Sequence, residues 1–233
     1  MTIALVLSGG TGTRIGGDIP KQYMTIQGRM LIAFCLDMFI KHKRVDGIWI
    51  VAAYEWQQEI VDECARLGLD VNTILGFSLP GETRQLSILN GLKGIESYAQ
   101  DEDPVVIIHD AARPNLSAEY VDRCLDALEG YDGVMPVLPM KDTVYYSNDG
   151  KTVDKLLERS CIYAGQAPEV YRLRKYIEAN ERLLPDKIKK INGSTEPAVL
   201  AGLSVAMIEG DEDNYKITTS KDLERFDSEK RRP

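Results

Sequence analysis

The residues best placed to do chemistry are two cations set behind a run of glycines. Residues 5–23 read LVLSGGTGTRIGGDIPKQY, so an apolar strand runs into Ser8, Gly9, Gly10 and Gly12, with Arg14 just after and Lys21 behind Pro20. Glycines at a strand end let backbone N–H groups approach a bulky anion that a Cβ would exclude. The spacing excludes two common phosphate loops. A P-loop needs Lys and Ser or Thr directly after its last glycine, and here Thr13 and Arg14 follow Gly12. A dinucleotide fingerprint begun at Gly10 needs glycine at position 15, which is Ile15. What is left is a glycine loop with two cations, a pattern that suits charge neutralisation on a polyphosphate. Its bland counterpart is a glycine-rich turn with two solvated charges.

Three further clusters could share that site. His109-Asp110-Ala111-Ala112-Arg113-Pro114 closes an apolar run with an acid and a cation. Asp110 there could hold a metal that bridges phosphates or a ribose hydroxyl, since Mg²⁺ favours one or two carboxylates plus phosphate oxygens; equally, Asp110 and Arg113 could simply tie the strand end down. His109 reads as a packed or capping histidine with no role. Gly81-Glu82-Thr83-Arg84-Gln85-Leu86-Ser87 resembles a helix start, where Gly81 and Ser87 could supply backbone groups and a hydroxyl at one place for recognising a base; by itself it is only a capped helix. Lys216 stands before a polar turn.

Those residues need elements to position them. Apolar residues at three- and four-residue spacing predict helices over 30–40, 55–67, 84–98, 117–128 (Ser117 as N-cap) and 173–184. Short apolar runs predict strands over 47–52, 71–77, 104–109, 133–139 and 204–208. Single helices between strands imply right-handed crossovers and a mainly parallel sheet covered on both faces, with ligands beyond the strands' carboxyl ends. Residues 8–14, 81–87 and 110–113 all fall at that edge. The Asn148-Asp149-Gly150 turn between β-rich runs predicts a hairpin over 141–158 that projects as an arm. An irregular stretch reaches Pro197, a short helix starts at Ser220, and residues 228–233 read as a frayed tail. The expected fold is one α/β Rossmann-like domain over 1–233 with a β-hairpin arm over 141–159.

Composition narrows the classes. At 233 residues, with 44% hydrophobic and 27% charged residues, the chain can bury a full core. A net charge of −8 argues against nucleic acid as a partner, because a phosphate backbone demands a basic face. Cys35, Cys64, Cys124 and Cys161 have no metal-ligand spacing, and three of them fall on apolar helix faces as reduced core thiols. The N-terminus enters a strand at once and no apolar run reaches membrane-spanning length, so a cytoplasmic protein with no membrane contact is expected.

Six stretches in order, LSGGTGTR, PKQY, GETRQLSILNGL, HDAARP, MKDT and NYKITTSKDL, resemble the cytidylyltransferases of polyol phosphates, the group that includes the enzymes for 2-C-methyl-D-erythritol 4-phosphate and D-ribitol 5-phosphate. The resemblance covers nearly the whole chain. It implies transfer of CMP from CTP to a polyol phosphate, with Mg²⁺ as cofactor and pyrophosphate as the second product. Matched by motif, Arg14, Lys21 and Lys216 would be catalytic. Ser8, Gly9, Gly10, Gly12, Gly81, Glu82, Ser87, Asp110 and Ala111 would bind the nucleotide, Asp110 also the metal. Thr143 and Arg159 on the arm would bind the acceptor in a neighbouring subunit, which implies a homodimer with exchanged arms. Two elements depart from the family's pattern. Its Thr-Pro-Gln is Ala167-Pro168-Glu169, and its Thr-Asp-Asp or Thr-Asp-Glu element is replaced within 192–197, NGSTEP. Other readings stay open: the isoprenoid-pathway methylerythritol enzyme in particular, a non-catalytic cytidine-nucleotide module, or a sugar-phosphate nucleotidylyltransferase using UTP or GTP.

Overall fold

A computed structural model of the chain describes residues 1–10, 19–99 and 103–231; Gly12 and Arg14 lie outside the described residues. Strand β1 (Thr2–Leu7) alternates its side chains between two cores. Ala4 and Val6 face one, Ile3 and Leu5 the other, and all four are fully buried. After the small ribbon β2 (Thr25–Ile26) and β3 (Arg29–Met30) come α1 (Leu31–Lys41), β4 (Gly47–Val51), α2 (Tyr54–Arg66), β5 (Ile74–Ser78), α3 (Arg84–Tyr98), β6 (Val105–Asp110), α4 (Ala118–Asp126) and β7 (Gly133–Pro139). The arm carries β8 (Tyr145–Tyr146) and β9 (Lys155–Leu156), and the chain returns through β10 (Tyr163–Gly165), β11 (Glu169–Arg172), α5 (Leu173–Glu181), α6 (Glu196–Leu200), β12 (Val205–Glu209) and α7 (Ser220–Lys230).

The central sheet runs β10-β7-β11-β6-β1-β4-β5, with β12 also paired to β7. Six of its strands point one way, and β10 and β11 run against them. Helices α1, α2 and α4 cover the Ala4 face, and α3, α5 and α6 cover the Leu5 face. Helix α3 comes especially close, because a Cβ on Gly91 would stand 2.4 Å from Leu5 Cδ1. Each buried aliphatic side chain in these layers stabilises the fold by about 2 kcal/mol relative to exposure.

The predicted α/β layout and projecting hairpin are present, with local differences that have physical causes. The expected strand over 71–77 begins as a 3-10 turn, Val71–Thr73, because the Asp70 side chain accepts the Asn72 N–H and closes a tight turn. The tail expected to fray is helical to Lys230, anchored by buried Phe226 and by Arg225–Glu229 and Arg231–Asp227 pairs one turn apart. The irregular stretch holds a 3-10 turn, Lys187–Lys190, and α6. Strands β10 and β11 were not expected at all. They are three and four residues long and are separated by Gln166, Ala167 and Pro168, so neither shows a pattern.

Candidate active site

At the carboxyl edge of the parallel strands lies a cleft of about 440 Å³, lined by Gly9 and Gly10 after β1, Gly81 to Thr83 before α3, Arg84 and Ser87 in its first turn, Asp110, Lys21 and Lys216. That size suits a nucleotide-like ligand. A wider surface groove of about 870 Å³ beside α1 and α7 alternates Arg29, Lys41 and Lys230 with Asp37, Asp213 and Glu229. Asp211 lines it as well, and it lies away from the glycine loop and the end of β6, which meet at the first cleft.

Asp110 is the electrostatic centre. It is buried at the end of β6, and Lys216 Nζ donates to its Oδ2 at 3.0 Å while Arg84 Nη2 and Nε donate to Oδ1 at 3.1 and 3.3 Å. Arg113 Nε stands 3.7 Å from Oδ2. Burial alone would raise the Asp110 carboxyl, but the charges of Arg84, Lys216 and Arg113 outweigh it and hold the group far below the usual carboxylate range. Asp110 is therefore ionised throughout the working pH range. Arg84 keeps 38% of its side-chain surface exposed, so the salt bridge still faces the cleft.

Lys21 Nζ donates to the carbonyl of Ile217 at 2.6 Å, and Ile217 N–H donates to Ala112 O at 2.8 Å. These bonds tie the loop after β1, the end of β6 and the segment before α7 into one wall, with Lys21 and Lys216 on it. Arg113 braces that wall from behind through the carbonyl of Asn214, at 2.7 Å. His109 is fully buried, with Nε2 2.9 Å from Arg113 O, and burial pushes it down to about 4. It is neutral at neutral pH and has no access to the cleft.

The glycine loop is shaped from below. Gln22 Nε2 donates to the carbonyls of Ser8 and Gly10 at 2.7 and 2.6 Å, and the Ser8 hydroxyl donates to Tyr23 OH at 2.8 Å. Tyr23 in turn stacks on Trp56 at 4.2 Å. Ser8 is thus turned inward, away from the cleft. At Gly9 the backbone passes so close to the Gly81 loop that a Cβ would lie 2.5 Å from Pro80 Cγ. On the opposite side Gly81 N–H donates to Ser87 Oγ at 2.9 Å, Ser87 Oγ donates to Thr83 O, and Thr83 caps α3 by accepting Leu86 N–H. Glu82 points outward and pairs with Lys189 at 2.8 Å.

The structure therefore brings together Gly9, Gly10, Lys21, Gly81, Glu82, Ser87, Asp110 and Lys216. Ala111 is buried just behind, its N–H bonded to Leu7 O. Thr143 and Arg159 are exposed on the arm and do not line this cleft; Arg159 Nη1 donates to Lys141 O. Two contributors were missed as site residues. Arg84 stood inside the GETRQLS stretch but read only as part of a helix start, and Gln22 in PKQY carried no signal, since its role is to hold carbonyls distant in the loop.

The family described as IspD: 2-C-methyl-D-erythritol 4-phosphate cytidylyltransferase matches residues 2–228. The chain is 34% identical over 229 residues to 2-C-methyl-D-erythritol 4-phosphate cytidylyltransferase of Rubrobacter xylanophilus, covering 95% of this chain and 91% of that protein. It is 33% identical over 224 residues to a bifunctional enzyme IspD/IspF of Paramagnetospirillum magneticum, covering 96% of this chain and 55% of that protein. The chain thus spans about half the length of the bifunctional relatives it matches. Among solved structures, 4-diphosphocytidyl-2C-methyl-D-erythritol synthase from Anaerococcus prevotii superposes with a TM-score of 0.82 at 25% identity, over 99% of this chain and 96% of that one. With the match running almost end to end and one relative covered along nine-tenths of its length, the chain belongs to the 2-C-methyl-D-erythritol 4-phosphate cytidylyltransferase (IspD) family.

Proposed function

We propose that this chain transfers CMP from CTP to 2-C-methyl-D-erythritol 4-phosphate, releasing pyrophosphate. The observation that carries the reading is a cleft with Lys21, Lys216 and Arg84 near one ionised carboxylate and, among the described residues, no histidine in its lining to serve as a base near neutral pH. A phosphate oxygen of the acceptor is already anionic and needs no base. Its attack on the α-phosphorus breaks the bond to the bridging oxygen, and pyrophosphate leaves with that electron pair. Lys21 and Lys216 would stabilise the charge growing on the triphosphate, and Arg14 would join them from the loop. Positioning and electrostatics would supply the rate.

The nucleotide would lie between the two loops, its base against Gly81, Glu82 and Ser87 and its ribose by Asp110 and Ala111, with Gly9 and Gly10 on the phosphate side; Ser8 would act from behind through the shape of that loop, and Gly12 is assigned to it by motif alone. Gly81 and Ser87 would act chiefly through loop shape, since they bond each other. The cleft fits Mg²⁺: Asp110 is, among the described residues, the buried carboxylate of its lining and is kept ionised, and this ion takes one or two carboxylates with phosphate oxygens. Bound there, Mg²⁺ would neutralise triphosphate charge. Among the described residues no group of three or more His, Cys, Asp or Glu side chains forms a separate metal cage.

We further propose one nucleotidyltransferase domain over 1–233 that works as a homodimer, each arm (141–159) placing Thr143 and Arg159 over the partner's cleft to hold the acceptor phosphate. Exposed Tyr145, Val153 and Leu156 support an arm that is covered by something. The cysteines are free and no described helix is long and apolar enough to cross a membrane, which accords with a cytoplasmic site of action.

The test is pyrophosphate release with CTP and Mg²⁺ against 2-C-methylerythritol 4-phosphate, ribitol 5-phosphate, erythritol 4-phosphate and glycerol 3-phosphate. Strong preference for the first is expected. Preference for ribitol 5-phosphate would move the acceptor, faster turnover with UTP or GTP would move the nucleotide, and CTP binding without turnover on any acceptor would reduce the chain to a binding module.

A further inference from the structure

The two stretches that depart from the family's pattern, 167–169 and 192–197, meet in space. Glu169 is buried on β11, and its carboxylate accepts hydrogen bonds from Ser194 Oγ on one oxygen, and from Tyr171 OH (3.0 Å) and Thr195 Oγ1 (3.3 Å) on the other. Among the described residues these donors are all hydroxyls. The cluster also reaches the start of α3, because Gln85 Nε2 donates to Tyr176 OH at 3.1 Å and Tyr176 OH donates to Ser194 O at 2.5 Å. Gln85, Tyr176 and Ser194 are all buried, and Tyr171 stacks on Tyr176 at 4.0 Å.

The sheet fixes where this carboxylate acts. Glu169 pairs with Ile108, two residues before Asp110, so Glu169, Ile108 and Asp110 project to one face, the face that α3 covers. Arg84 stands at the rim of that layer in the first turn of α3, next to buried Gln85, and donates twice to Asp110 while keeping 38% of its side chain exposed. Burial works against the Arg84 charge, yet the carboxylates of Asp110 and Glu169 together hold it above its usual range. Burial pushes the Glu169 carboxyl up, opposed first by the Arg84 charge and then by the Ser194 and Tyr171 hydroxyls. A buried acid with only hydroxyl partners is expensive, and a core of this shape would tolerate an amide there more easily.

We propose that Glu169 is a positioning residue: held by Ser194, Thr195 and Tyr171, its charge holds the Arg84 guanidinium over the sheet edge and against Asp110, so that this buried carboxylate of the cleft is fixed in orientation. The two departures are then a single coupled change, an acid on β11 with the hydroxyls that hold it. This rests on the proposed cytidylyl transfer only for its effect on rate.

The test combines Glu169→Gln and Arg84→Met in a double-mutant cycle, read by turnover and by the solvent exchange of the Arg84 Nε–H in nitrogen NMR. Expected are a loss of kcat of about tenfold for Glu169→Gln with KM for CTP nearly unchanged, less than about twofold further loss when it is added to Arg84→Met, and faster Nε–H exchange in Glu169→Gln than in the parent chain. Independent, multiplying losses, or unchanged Nε–H exchange, would overturn the proposal. Should Glu169→Gln fail to fold, the pair Ser194→Ala with Thr195→Val, which keeps the charge but frees it, takes its place with the same readouts. If the parent chain turns over no acceptor, the function reading fails, and the exchange measurement alone decides the positioning role.

Discussion

At the scale of single residues, substitutions at the two lysines are read in turnover and that at Asp110 in stability. Lys216→Ala and Lys21→Ala are each expected to lower kcat by about a hundredfold, with little change in CTP affinity, if their charge acts on the transition state. Equal losses in turnover and in CTP binding would contradict that role. Asp110→Asn leaves Arg84, Lys216 and Arg113 clustered around a neutral amide, and should cost about 3 kcal/mol in urea unfolding at pH 7. His109 adds a pH dependence. Its folded value of about 4 lies below the unfolded value of about 6.5, so the stability it contributes is full above pH 6.5 and is lost as pH falls towards 4. Unfolding free energy should therefore drop by up to about 1.4 kcal/mol per pH unit in that window, and His109→Asn should flatten the slope. A slope unchanged in that variant would assign it to other groups.

At the scale of elements, the site depends on how two helices start. Thr219 and Asp222 form a capping box on α7, with Asp222 Oδ2 accepting from the N–H groups of Thr218 and Thr219. These bonds hold the Asp222 carboxyl at about 2, so the cap is intact above pH 4 and weakens as pH falls towards 2. Asp222→Ala should cost about 1 kcal/mol and, because the cap sits just behind Lys216 and Ile217, should reduce turnover as well as melting temperature. Loss of stability with full activity would separate α7 from the site. At the start of α3, the close pass of Gly9 against Pro80 makes Gly9→Ala a test of loop geometry: a Cβ 2.5 Å from Pro80 Cγ forces the two loops apart. Weakened CTP binding in a chain of near-normal stability is the expected outcome, measured by calorimetry beside thermal unfolding.

At the scale of the whole molecule, the arm leaves Tyr145, Val153 and Leu156 exposed. If it completes the partner's site, Lys216→Ala and Arg159→Ala chains, each nearly inactive, should complement when mixed. In a mixed dimer one cleft has both an intact Lys216 and an intact Arg159 arriving from the other subunit. Random mixing makes half the dimers mixed with one good site each, so activity should return to about a quarter of the wild-type level. No recovery after subunit exchange would confine the site to one chain. Sedimentation of a chain lacking 141–159 checks the same arrangement from the side of assembly, and a dimer that survives the deletion would locate the interface elsewhere.

The layout of alternating strands and helices, the hairpin arm and most of the residues that line the candidate cleft were legible in the sequence, because they rest on local causes. Apolar periodicity marks α1 to α4, Asp149-Gly150 marks the arm's turn, and glycines and cations at strand ends mark where a phosphate can sit. What the sequence could not show depends on partners far along the chain. Strands β10 and β11 are too short to carry a pattern and exist because β6 and β7 offer them hydrogen bonds. Ser8 read as a ligand contact, and only Tyr23 beneath it turns its hydroxyl inward. Arg84 read as a helix residue until β6 placed Asp110 beside it, 26 residues later. The meeting of Glu169 with Ser194 and Thr195 was likewise decided by tertiary structure alone, because a buried charge takes its meaning from whatever the fold packs against it.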